Sequence, residues 1–117
     1  MAGVVSRWLD RFSVESQEDT ELRGRATAAG CAAIKDVPER ERVDVHGVLQ
    51  DVTLRPVGDV TALEASLYDG TGTVTLVWLG RRRIEGISAG RSLTATGRIG
   101  HRGAERVIFN PAYRLDA

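Results

Sequence analysis

The sequence predicts a mainly β fold: a small antiparallel barrel of five strands with a short helical segment in front of it. Three observations carry the prediction. The first is a hairpin signature. Leu63, Ala65 and Leu67 alternate with Ala62, Glu64, Ser66 and Tyr68, then Asp69-Gly70-Thr71-Gly72 intervenes, then Val74, Leu76 and Trp78 alternate with Thr73, Thr75, Val77 and Leu79. A period of two marks a strand with one buried face, and the glycines tolerate the positive φ of a tight turn. The second is that further strand-like runs flank this hairpin, at Arg42 to Leu54, Arg91 to Ile99 and Arg106 to Asn110. The third is the punctuation between the runs, in which Gly47 interrupts the first strand and Gly86 and Gly90 keep the link from the third to the fourth short.

Taken in order, Val4, Val5, Trp8, Leu9 and Phe12 fall on one stripe of a short amphipathic helix. A second helix is expected over roughly Asp19 to Ala29, with Gly30 as its stop. Pro38 keeps the connector from Ala32 to Glu41 out of helix. Strand one then runs from Arg42, with a bulge or bend expected at Gly47, and a loop from Arg55 to Asp59 leads into the hairpin. Ile84 and Ile87 suggest one helical turn plugging an end of the barrel. Gly100 to Ala104 reads as a turn, Pro111 stops strand five, and Ala112 to Ala117 form a tail. This arrangement is that of the OB-fold, a five-stranded Greek-key barrel. Two regions result, residues 1–41 with the helical segment and linker, and residues 42–117 with the barrel.

The formal net charge is zero, which argues against gripping nucleic acid by bulk charge. Its distribution is uneven, however. From Cys31 to Gly80 eight acids face four bases, whereas from Arg81 onward eight arginines face Glu85, Glu105 and Asp116. Fifteen of the sixteen bases are arginine, which suits phosphate contacts and base stacking and also fits a bias in genomic composition. A lone cysteine, Cys31, excludes an intrachain disulfide and fits a reducing cytoplasm. Arg7, Asp10 and Arg11 interrupt the start of the chain, so no signal-like apolar run is expected, and no run is long enough to span a bilayer. A cytoplasmic location is the expectation.

From about Arg42 to Leu115 the chain resembles the OB-fold nucleic-acid-binding family that includes the wedge domain of RecG-type branch-migration helicases. The residues that carry the resemblance are Val45-His46-Gly47-Val48, Tyr68 to Gly72 with Val74 to Trp78, Leu93 to Gly97 after Gly90, and Val107 to Tyr113. The run Val77-Trp78-Leu79-Gly80-Arg81-Arg82-Arg83 and the Asn110-Pro111 ending are also similar to small stand-alone OB-fold proteins of actinobacteria. The resemblance implies nucleic-acid binding. No P-loop or helicase motif accompanies it.

Catalysis finds little support. Two histidines and one cysteine do not build a zinc site of usual composition. His46 and His101 have no local nucleophile beside them, and Asp69-Gly70-Thr71-Gly72 lacks the lysine of a phosphate loop. The expectation is a module that is not an enzyme and needs neither cofactor nor metal. In an OB-fold the outer face of strands two and three, with its flanking loops, holds extended ligands. Candidate nucleic-acid contacts are therefore Tyr68, Thr73 and Thr75 on that face, Arg55, Arg98, His101 and Arg102 beside it, and Arg81, Arg82 and Arg83 as a phosphate clamp. Glu64 on the same face detracts from a general single-strand site, and Trp78 reads as core. The ligand class is single-stranded or branched DNA or RNA. The alternative is a protein adaptor, or a homodimer, that uses Trp8 and Phe12 of the N-terminal helix.

Overall fold

The computed structural model describes residues 17–117, so the expected helix with Trp8 and Phe12 lies outside the described residues. Helix α1 occupies residues 17–28. It ends as the glycine signal predicts. Gly30 has φ +75°, its N–H donates to Thr27 O, and Cys31 N–H reaches back to Ala26 O at 2.9 Å, which together cap the last carbonyls. A 3-10 turn, Ile34–Asp36, follows in the connector and buries Ile34.

The rest is a single sheet of seven strands: β1 (Arg42–Val57), β2 (Val60–Tyr68), β3 (Thr73–Leu79), β4 (Ser92–Arg98), β5 (Gly100–Arg102), β6 (Glu105–Phe109) and β7 (Ala112–Leu115). Their order is β5-β6-β3-β2-β1-β4-β7, and every pair is antiparallel except β3 with β6. The mainly β class with a helix ahead of it therefore holds, but the expected five strands become seven and the hydrogen-bonded ladder is open. Two causes account for the count. The expected fourth strand is interrupted at Ile99, whose N–H and C=O bond Glu41 O and Arg40 N, so the chain leaves β1 and pairs next with β6 as β5. The tail, which has no apolar alternation, becomes a strand because the free edge of β4 offers it backbone partners from Leu93 to Thr96.

Other boundaries moved for equally local reasons. Arg55, Pro56 and Val57 belong to β1, and Gly58 (φ +61°) with Asp59 makes a two-residue turn. Pro56 is tolerated because β1 beyond Val48 pairs only with β2 and leaves one edge open. The register shift in β1 falls between Leu49 and Asp51, not at Gly47. Gly47 is required for another reason: a Cβ there would run into the carbonyl of Tyr68, where β2 ends against β1. No helical turn forms between Arg81 and Gly90. Gly86 and Gly90 both take positive φ, and bends deliver Ile84 and Ile87 into the core instead.

The inner face of the sheet is the main core, built from Val45, Leu49, Leu63, Leu67, Val74, Leu76, Leu93 and Ile108. Trp78 joins it as the alternation predicts. Its indole N–H donates to Pro111 O at 3.1 Å, and its ring meets Tyr113 edge-on at 5.9 Å. At the end of β2, Asp69 is completely buried. Its Oδ1 accepts Thr71 N, Thr71 Oγ1 and Gly72 N, its Oδ2 accepts Ile34 N at 2.9 Å, and Arg23 of α1 lies 3.6 Å away.

Replacing Asp69 with Ala strands the buried Ile34 N–H and two turn amides, and each buried donor left unpaired costs about 1–3 kcal/mol. Asp69→Ala is expected to lower the unfolding free energy by about 3 kcal/mol or more, read as a lower urea midpoint at unchanged m. A loss below about 1 kcal/mol would show that the turn and connector stand without it.

Candidate nucleic-acid interface

Strand alternation sets one surface across β1, β2, β3 and β6. Arg55 lies opposite Ala62, Glu64 opposite Val77, Thr75 opposite Val107, and Val77 opposite Phe109. These positions share the outer face of the sheet. The sequence led to the expectation of a solvated groove here. Instead Ala62, Val77 and Val107 are buried in a second small apolar cluster, with Val57 packed on it from the end of β1. Val77 points outward by strand alternation and is nonetheless buried, within the cluster on which Val57 packs.

Beside this cluster the charged residues neutralise one another. Arg102 on β5 forks onto Glu64, with Nη1 and Nη2 each donating at 2.9 Å to one carboxylate oxygen. The same guanidinium reaches Glu105 Oε2 at 3.1 Å from Nη2, and the Thr75 hydroxyl donates a short hydrogen bond to Glu105 Oε1. Arg55 stands 3.6 Å from Glu64. Glu64 is only 5% exposed. The hydrogen bonds from Arg102 hold its carboxyl below the ordinary glutamate range against the opposing effect of burial. Glu105 is lowered as well, first by the Thr75 hydroxyl. Two arginines and two carboxylates leave no net charge, so Arg55, Arg102 and Thr75 offer a phosphate little attraction in this state. A bidentate pair of this kind is among the stronger polar contacts a protein makes.

The remaining candidates are dispersed. Tyr68 is half-buried, and its hydroxyl donates to Asp19 Oδ1 of α1 at 2.8 Å. That bond, followed by burial, raises the phenol's pKa. Thr73 is exposed at the start of β3. His101 faces Glu39 at 3.5 Å. Arg98 is on β4, whose neighbours are β1 and β7, so it does not flank the β2–β3 face. Arg81, Arg82 and Arg83 are all exposed in the loop after β3, with no carboxylate partner among the described residues.

One aromatic that sequence reasoning passed over stands on this face. Phe109 is 46% exposed on the outer side of β6, with Leu79 and Val60 exposed on the same side of the sheet. The next residue ties it to the arginine loop. Asn110 N donates to Val77 O, and Asn110 Oδ1 accepts Leu79 N at 2.9 Å. Phe109 therefore sits where the chain leaves β3 for Arg81. The signal in the sequence was its odd parity with Val107, legible only once β6 is known to lie beside β3. Elsewhere, burial followed by the charge of Asp44 raises the Cys31 thiol, which keeps it protonated. No group of His, Cys, Asp or Glu able to hold a metal occurs among the described residues, and no helix there is long and apolar enough to cross a membrane.

No family profile and no curated protein matches the chain by sequence. A solved structure does match by fold: RecG bound to a three-way DNA junction, with TM-score 0.62 and 20% identity over 71% of this chain. The match spans 12% of that protein's length. The chain thus has the fold of a small portion of RecG.

Arg102→Ala leaves the Glu64 carboxylate buried with only Arg55 nearby, and is expected to destabilise by about 2–4 kcal/mol. The folded state lowers the pKa of Glu64 and Glu105 from 4.5, so their contribution is complete above that value and is lost as pH falls through the lowered pKa. The parent protein should therefore lose more stability between pH 7 and about pH 3 than Arg102→Ala does. Urea unfolding at both pH values measures it, and equal acid losses would contradict the assignment.

Proposed function

We propose that this chain is a non-catalytic OB-type module that binds single-stranded or branched nucleic acid. The reading is carried by the juxtaposition of an exposed aromatic, Phe109, with the run Arg81, Arg82 and Arg83, which has no carboxylate partner among the described residues, at one end of β3. Single-strand binders combine those two elements, a flat ring for a base and cations for the phosphates on either side of it. Phe109, in place of the candidate contact Tyr68, takes the stacking role, because Tyr68 is half-buried with its hydroxyl engaged by Asp19. Thr73 and the Arg55–Glu64–Arg102 network border the surface, the network fixing its shape and contributing no net charge. The fold shared with a portion of RecG, a protein solved on a DNA junction, supports the same ligand class.

The second reading is a protein adaptor, and one observation favours it: Val60, Leu79 and Phe109 are large apolar side chains exposed on one side of the sheet. Exposed apolar groups of this kind also suit a protein partner.

Fluorescence anisotropy with labelled single-stranded DNA, single-stranded RNA and a forked duplex, at low and moderate salt, separates the two. Micromolar or tighter affinity that falls with salt is expected. Phe109→Ala should weaken it by about 1–3 kcal/mol, the worth of one base stacked on a ring. Replacing Arg81, Arg82 and Arg83 together by Ala should flatten the salt dependence, by about 0.9 in log–log slope for each phosphate no longer neutralised. Absence of binding to all three at low salt would overturn the nucleic-acid reading in favour of the adaptor.

A further inference from the structure

The corner where β1 begins and β4 ends carries an arrangement of charge unlike the balanced network on the β2–β3 face. Arg42 lies directly opposite Arg98 in the β1–β4 ladder. Opposed positions on antiparallel strands share a face, with Cβ atoms about 5 Å apart, and like charges placed so destabilise the pairing. Both side chains are exposed, and neither has a carboxylate partner among the described residues. None of the carboxylates around them pairs with either arginine among the described residues. Asp44, next on that face of β1, accepts the Thr96 hydroxyl at 2.6 Å, Asp116 meets His46 at 2.8 Å, and Glu39 meets His101. Glu41 falls on the opposite parity, and its carbonyl accepts Ile99 N.

Arg40 adds a third cation. Its φ is +65°, a left-handed conformation uncommon for a side chain of this kind, and its N–H donates to Ile99 O at 2.9 Å. That bond pins the turn to the residue after Arg98. Local backbone preference and cross-strand electrostatics both oppose what the fold holds here. Such conflicts gather at functional sites, where an absent partner supplies what is missing. For two arginines opposed across a ladder the missing partner is an anion.

We infer that Arg42 and Arg98, with Arg40 beside them, clamp the phosphodiester backbone of a nucleic acid strand. The clamp lies on the outer face of β1 and β4, apart from the Phe109 surface on β2, β3 and β6. It rests on the nucleic-acid reading above and adds a second contact face to it. Guanidinium forks fit phosphate oxygens, and a phosphate between Arg42 and Arg98 converts their repulsion into two attractions. Arg114, opposite Thr94 on β7, continues the line along the same face, about 13 Å from Arg98 at the rise of a strand.

The test is anisotropy of a labelled forked DNA duplex with the pair Arg42→Ala and Arg98→Ala made together. The expected result is affinity reduced about tenfold at low salt and a log–log salt slope shallower by about two, near 0.9 for each phosphate released. The melting temperature of the free variant should be unchanged or higher, because the opposed charges are gone. The pair Arg42→Lys and Arg98→Lys should keep the parent slope. Parent affinity and slope in the alanine pair, while Phe109→Ala weakens binding, would overturn the clamp and leave the nucleic-acid reading standing. A clearly lower melting temperature in the alanine pair would overturn the clamp too, marking the arginines as structural. Failure of the parent protein to bind any nucleic acid would remove both readings.

Discussion

Asp69 closes β2 with a wholly buried side chain, and the groups around its carboxylate come from separate parts of the chain. Thr71 and Gly72 belong to its own turn, Ile34 to the 3-10 turn of the connector, and Arg23 to α1. A carboxylate removed from water needs this many partners, because each lone pair left empty weighs heavily in a low dielectric. Once it is satisfied, the rest follows by proximity. The β2–β3 turn is rigid, Ile34 is held over the end of the core, and α1 is drawn down until Asp19 touches Tyr68 and its backbone rests on Gly70. Gly70 carries φ +90° and abuts the Asp19 carbonyl, so both its conformation and its lack of a side chain belong to the same junction.

That junction decides which surfaces remain for a ligand. With α1 docked, Tyr68 serves the joint between helix and sheet. The β2–β3 face is closed at its centre by an apolar cluster and by the Arg102–Glu64 fork. Arginine here plays two distinct parts. Arg55, Arg102 and Arg23 stand beside carboxylates and shape the fold. Arg81, Arg82, Arg83, Arg42 and Arg98 are exposed without a carboxylate partner among the described residues, on a chain whose formal charge sums to zero. Net charge therefore said little about ligands, since it averages cations already neutralised with cations still available.

Local physics was legible in advance. The alternation around Leu67 and Val74, the turn at Gly70, the stop at Gly30 and the inward Trp78 all follow from short-range rules of period and backbone freedom, and each appears in the structure. The expectations that failed share a different character. Gly47 was recognised as special, but its reason is the carbonyl of Tyr68 from another strand. The tail became β7 only because β4 had a free edge.

The sequence by itself determined the mainly β class, the central hairpin, the helix ahead of the sheet and the division of residues between inner and outer faces, because these depend on neighbours a few positions apart. The tertiary structure alone decided that Glu64 would be buried against Arg102, thirty-eight residues away, that Phe109 would stand beside the arginine loop, and that Arg42 would oppose Arg98. Register and strand order set those meetings. They emerge from how the whole chain packs its core, and a shift of one residue in any ladder would have assigned every outer-face side chain a different partner.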